Sequence, residues 1–282
     1  MTSVCRVTGI DTHAHIFHPD LPMVAGRRYS PEYEAALDDW LRLQDAAGIS
    51  HGVLIQPSFL GTDNSHIEAA LRAHPNRLRG VAVIDRDIDD AKLMDLAKAG
   101  FVGARLNLVG KDIEDYRDPA WTAFFERLAK LDWQVEIQRR FEDLIDIVPA
   151  MVAAGVTVVI DHFGLPGGQI DPDNPKHAAF LALLAKEPRI WVKLSAPYRA
   201  GLDAVAAASA LEHLRAACGG IDRFVWGSDW PHTQHEDVVN YHQQYDRLVA
   251  LLPDALERDQ VLCANAVRLF GFDKNVEDRN SK

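Results

Sequence analysis

Cysteine is scarce. The 282 residues hold three, Cys5, Cys218 and Cys263, scattered along the chain. That number and spacing set up neither a disulfide framework nor a zinc knuckle, so a reducing cytoplasm is the expected compartment. Long apolar runs are missing as well. No stretch approaches the roughly 18 residues that a membrane span needs, and no membrane partner is expected. The opening residues, MTSVCRVTGID, carry neither the apolar core nor the cleavage site of a secretory signal. Positive charge is outnumbered, with 30 Lys and Arg against 41 Asp and Glu, for a net charge of −11. No basic stripe offsets that balance, so a nucleic-acid partner is not expected. Nor is there a repeat, a low-complexity tract or a linker to divide the chain.

What is present is alternation. Short β-rich runs fall at 9–14, 52–57, 79–84, 101–106, 133–138, 156–161, 190–195 and 223–228. Most are nearly continuous apolar runs, the pattern of parallel strands buried on both faces. Between them lie amphipathic segments at 33–47, 66–74, 89–99, 119–131, 141–154, 177–186 and 203–217, with two more at 238–251 and 255–270. Eight βα units predict a single α/β domain, a (β/α)8 TIM-type barrel over 1–274, followed by a polar tail at 275–282. Segments after the strand C-termini, such as HFGLPGGQIDPDNP and DWPHTQHED, are rich in polar and special residues, whereas the returning loops are plain. In barrels the first set forms the catalytic face.

Candidate chemistry gathers at that face. His13 and His15, two apart on strand 1, point the same way if the strand is extended. Asp11 before them is read as structural, orienting one of the rings. His162 ends strand 6, Arg199 follows strand 7, and Asp229 ends strand 8. Asp229 either caps the next helix or acts in catalysis, and its setting in WGSDWPH favours catalysis. Arg105 on an apolar strand needs an internal carboxylate or an anionic ligand, because an unpaired buried charge is costly. Glu136 is the obvious internal partner, so both readings stand.

These residues resemble a known family. HxH at 13–15, RRY-SP at 27–31, SFLGTDN at 58–64, RLN at 105–107, DHFG at 161–164 and WGSDWPH at 226–232 are similar to the second amidohydrolase group. Within it they look like the branch of pyrone-dicarboxylate lactonases and related lactone hydrolases, over nearly the whole chain from Gly9 to Phe272. The resemblance implies hydrolysis of a small carboxylated lactone. Asp229 would be the general base toward water, and His13, His15 and His162 would polarise the carbonyl. Because the base must be ionised, hydrolysis should decline toward low pH. Arg105, Arg199 and Tyr29 match the substrate-binding pattern. Lys111 stands where a second arginine is expected, Gln138 replaces a tyrosine, and Leu165 replaces another arginine. A lysine is a point charge and a leucine has no donor, so these departures leave the particular lactone open.

The resemblance also implies catalysis without a metal. Arg105 occupies the strand-4 position that ligates in many relatives, and a guanidinium repels a cation. The alternative is one zinc or manganese ion held by His13, His15, His162 and Asp229, with metal-dependent decarboxylation as the activity. A non-catalytic barrel predicts loss of at least one of those four residues, and all four are present.

Overall fold

A computed structural model of the chain describes residues 7–273. Cys5 and the tail expected at 275–282 lie outside the described residues. Eight parallel strands follow one another in chain order: β1 (Ile10–Ala14), β2 (His51–Ile55), β3 (Leu78–Ala82), β4 (Phe101–Asn107), β5 (Gln134–Gln138), β6 (Thr157–Ile160), β7 (Ile190–Ser195) and β8 (Phe224–Gly227). Helices α1 (Leu37–Ala46) to α7 (Ala204–Cys218) alternate with them, and α8 (Tyr241–Leu251), α9 (Ala255–Asp259) and α10 (Asn265–Phe270) complete the ring. Every expected strand is present within two residues of its predicted ends. Among the described residues, no helix is long and apolar enough to cross a membrane.

The apolar runs are buried on two sides, as their continuity implies. Ile10, Val53, Ile55, Val81, Val159 and Val225 pack with Ala266 and Phe270 of α10 into one cluster, so the barrel is filled rather than hollow. A larger cluster, including Leu54, Ala104, Val135, Ile160 and Leu194, seals the strands against the helices.

Closure falls between β8 and β1. Ala14 bridges Trp230, the His15 amide donates to the Trp230 carbonyl at 2.8 Å, and the Asp229 amide donates to the His13 carbonyl at 2.8 Å. Asp11 locks this joint. It accepts from the Ser228 amide at 2.8 Å, the Ser228 hydroxyl at 2.6 Å and Trp40 Nε1 at 2.9 Å. It also holds the His13 amide at 3.2 Å, so it fixes that residue's backbone rather than a ring. Gly227 has to be glycine here, since a Cβ would stand 2.5 Å from the His13 Cβ.

Strain gathers at the same end. Eight non-glycine residues among those described have positive φ, and seven of them lie just beyond β6, β7 and β8: His162, Phe163, Leu165, Ala196, Asp229, His232 and Gln234. Such conformations persist where surrounding contacts over-determine them, commonly at functional sites.

Candidate active site

The strand-1 histidines do converge, although β1 ends at Ala14 and its pairing with β2 is irregular after Asp11. Their rings stand 5.0 Å apart at right angles, and the His162 ring lies 4.8 Å from that of His13. Asp229 meets all three. Its Oδ1 is 3.6 Å from His13 Nε2, 3.9 Å from His15 Nε2 and 3.8 Å from His162 Nε2. Asp229 does not cap α8; Asn240 does that. Its second oxygen, Oδ2, accepts from the Tyr198 hydroxyl and from Arg199 Nε, both at 2.5 Å. One oxygen is therefore tied down and the other faces the imidazoles.

Electrostatics set the protonation states. Burial, the largest single influence, pushes the Asp229 carboxyl up, but the Arg199 guanidinium and the three imidazoles together outweigh it and hold the group well below the usual carboxylate range. Burial, reinforced by the Arg105 charge, lowers His15 to about 3. Burial lowers His162 to about 4, and burial with the Lys193 charge takes His13 well below its ordinary value. The three rings are neutral at pH 7. His15 Nδ1 lies 2.8 Å from the Ile55 carbonyl, which can only accept, so its proton sits on Nδ1 and Nε2 presents a lone pair. His162 Nδ1 lies 2.8 Å from the Ser195 hydroxyl.

Beneath the rings, positions two residues on from Val159 and Trp191 replace apolar filling with charge. Lys193 is wholly buried, with Nζ 2.8 Å from Glu136 Oε2, 3.3 Å from Asp161 Oδ1 and 3.0 Å from His13 Nδ1. The expected Arg105–Glu136 ion pair is not formed, even though the two residues are register partners on β4 and β5. Lys193 takes Glu136 from across the barrel. Arg105 instead meets Asp161 at 3.4 Å and Gln138 Oε1 at 2.7 Å.

Above the carboxylate opens a cleft lined by Arg105, Arg199, Tyr29, Gln138, Asn107 and Arg28, among others. Burial pushes the Tyr29 hydroxyl up to about 12, so it stays protonated and can donate. Lys111 is exposed and does not line this cleft. Leu165 is half-buried against the outer core. Arg28, on the long loop after β1, makes no hydrogen bond or ion pair among the described residues and brings a third guanidinium to the rim. Sequence reasoning gave no role to Arg28 and Asp161, although both fall in the RRY and DHFG segments, and passed over Lys193 and Tyr198. For Lys193 the signal was available, because a lysine inside the apolar run IWVKLS raises the same question as Arg105.

A filled eight-stranded barrel with histidines and an aspartate converging at its C-terminal mouth defines a barrel enzyme. The amidohydrolase family profile matches residues 10–272, and the chain belongs to that family. It is 29% identical over 277 residues to a 2-pyrone-4,6-dicarboxylate hydrolase of Comamonas testosteroni, covering 93% of this chain and 89% of that one. It is 31% identical over 276 residues to a 4-sulfomuconolactone hydrolase of Rhizobium radiobacter, with the same coverage. A crystal structure from Pseudomonas putida, assigned as a 2-pyrone-4,6-dicarboxylic acid hydrolase, superposes with a TM-score of 0.88 at 40% identity, over 96% of this chain and 100% of that one.

Proposed function

We propose that this chain hydrolyses the ring ester of a small carboxylated lactone, without a metal ion. The observation that carries this reading is a rim of three guanidiniums, Arg28, Arg105 and Arg199, over a carboxylate faced by neutral imidazoles. An acidic protein that places cations at one mouth suits an anionic substrate. The guanidiniums and Tyr29 hold the substrate's acid groups with the ester carbonyl toward the rings. A water between Asp229 Oδ1 and the bare Nε2 of His15 meets two acceptors. It gives a proton to Asp229 as its oxygen attacks the carbonyl carbon. His13 and His162 donate to the developing oxyanion. The C–O ring bond then breaks, and Asp229 returns the proton to the leaving oxygen. His15 thereby becomes a water-positioning acceptor in place of the carbonyl donor implied by the resemblance.

A single cation is the competing reading, and spacing favours it. Ligands around a tetrahedral zinc lie roughly 3.3 Å apart, given bonds of about 2.0–2.1 Å. The 3.6–3.9 Å separations of the three Nε2 atoms from Asp229 Oδ1 come close to that. His13, His15, His162 and Asp229 would hold the ion, which would supply a Lewis acid. Charge opposes it, because Arg105 and Arg199 both disfavour added positive charge at His15 and His162. Metal removal separates the two readings. Protein treated with a chelator should keep its turnover of anionic lactones, and elemental analysis should find no stoichiometric transition metal. Activity lost on stripping and restored by zinc or manganese would establish the metal-dependent reading.

The anion assignment has its own test. Arg28 has no hydrogen-bond or ion-pair partner among the described residues, so Arg28→Met should leave the melting temperature within about 1 °C, as an exposed substitution does. It should lower kcat/KM for a carboxylated lactone on the order of 10-fold, and neutral lactones should not register the change. Equal turnover of neutral and anionic analogues by the unmodified enzyme would refute the carboxylated-substrate assignment.

A further inference from the structure

We infer that Lys193 fixes the tautomer of His13, turning an Nε2–H donor toward Asp229 while its neighbour His15 is held as an acceptor. A lysine ammonium has three donors and no acceptor. It meets two acceptors in hydrogen-bond geometry, Glu136 Oε2 at 2.8 Å and His13 Nδ1 at 3.0 Å, whereas Asp161 Oδ1 at 3.3 Å is an ion-pair contact without a hydrogen bond. Because the ammonium can only donate, the bond to His13 requires the ring nitrogen Nδ1 to be bare. A neutral imidazole then carries its only proton on Nε2. That atom is buried, has no hydrogen-bond partner among the described residues and faces Asp229 Oδ1 at 3.6 Å.

The contrast with His15 is what gives the arrangement its use. There the Ile55 carbonyl demands a proton on Nδ1, so Nε2 is bare. Two rings two residues apart, perpendicular and 5.0 Å between centres, thus present opposite polarity to the same Asp229 oxygen, His15 as part of the cleft lining and His13 from behind it. A donor is needed where negative charge grows on the carbonyl oxygen, and an acceptor where water is oriented. A carbonyl below one ring and a lysine below the other sort the pair. Lys193 lies under the ring and touches no substrate, so it is a positioning residue. The competing arrangement puts a proton on His13 Nδ1 and donates it to Asp161 Oδ1 at 3.5 Å. It would leave the lysine with Glu136 as its one hydrogen-bonded acceptor and turn a bare Nε2 toward Asp229 Oδ1.

What the donor does for catalysis rests on the proposed lactone hydrolysis, whereas the tautomer itself does not. Isotope-labelled histidine NMR on the full-length, substrate-free protein reads which nitrogen of each ring is protonated, with His13 assigned by the peak lost in His13→Gln. The proton should reside on Nε2 of His13 and on Nδ1 of His15. A proton on Nδ1 of His13 overturns the inference, and this measurement needs no Lys193 variant to fold. In Lys193→Met the His13 proton should move to Nδ1, and kcat should fall on the order of 10²-fold with KM changed less than about twofold. Unchanged kcat in a folded Lys193→Met protein would remove the positioning role even if the wild-type tautomers split as stated. If no anionic lactone is turned over yet the tautomers split, the functional reading fails and the assignment of the rings stands.

Discussion

Asp229→Asn should lower kcat by on the order of 10²-fold or more, the usual contribution of a positioned general base. The amide keeps the shape of the side chain and can still accept from Tyr198 and Arg199, so the fold around Oδ2 should survive. What disappears is proton acceptance at Oδ1, the atom facing the three rings. Near-normal turnover in the variant would take Asp229 out of the mechanism. The wild-type pH profile adds a second check. Sequence reasoning leads one to expect an acid limb from a carboxylate of ordinary pKa, near 3.9. Arg199 moves that limb. With the carboxyl held well below the usual range, Asp229 stays ionised at about pH 4, where a carboxylate of ordinary pKa would be about half protonated, and its own protonation should not limit turnover there wherever the fold is intact.

Arg199→Met tests the same balance from the other side. The guanidinium is the largest influence holding the Asp229 carboxyl down, while burial acts in the opposite direction. Remove the cation and burial prevails, so the group takes up its proton at higher pH. The variant should show an acid limb that the wild type lacks. Its kcat/KM for an anionic lactone should drop by about 2–4 kcal/mol in transition-state terms, because one residue both anchors the base and binds the anion. The melting temperature should fall too, since Arg199 also donates to the Thr233 carbonyl at 3.0 Å and the Thr233 hydroxyl at 3.2 Å. An unchanged pH profile with intact kcat/KM would show that Arg199 only ties the β8 loop in place.

The barrel was legible because its signals are local. Runs such as VTVVI and IWVKL read as strands whatever they pack against, and the HxH and DWPH segments mark their own strand ends. The network under the rings was not legible, for a physical reason. Lys193 reaches Glu136 57 residues away and His13 180 residues away, across the interior of a closed sheet. Adjacent-strand reasoning pairs Arg105 with Glu136 and has no means of placing the lysine that intervenes. Arg28 was missed for the opposite reason. On a polar loop, the second arginine of an Arg27–Arg28 pair looks like any solvated residue until the loop is seen folded over the cleft. Lys111 misled in the same way, since a resemblance carries residue type but not the direction a loop side chain takes.

The Asp11 clasp has a consequence for how activity arises as the chain is made. Asp11 is made 217 residues before the Ser228 groups it binds. Until β8 arrives, β1 has no partner on its open edge and the two strand-1 histidines face no base. The residue that completes the ring and the one proposed to activate water are neighbours, Ser228 and Asp229. Barrel closure and catalytic competence are therefore a single event. A nascent chain or a fragment ending before β8 should have no diminished form of the activity, only none, and the edge it exposes is the kind that invites association with other chains.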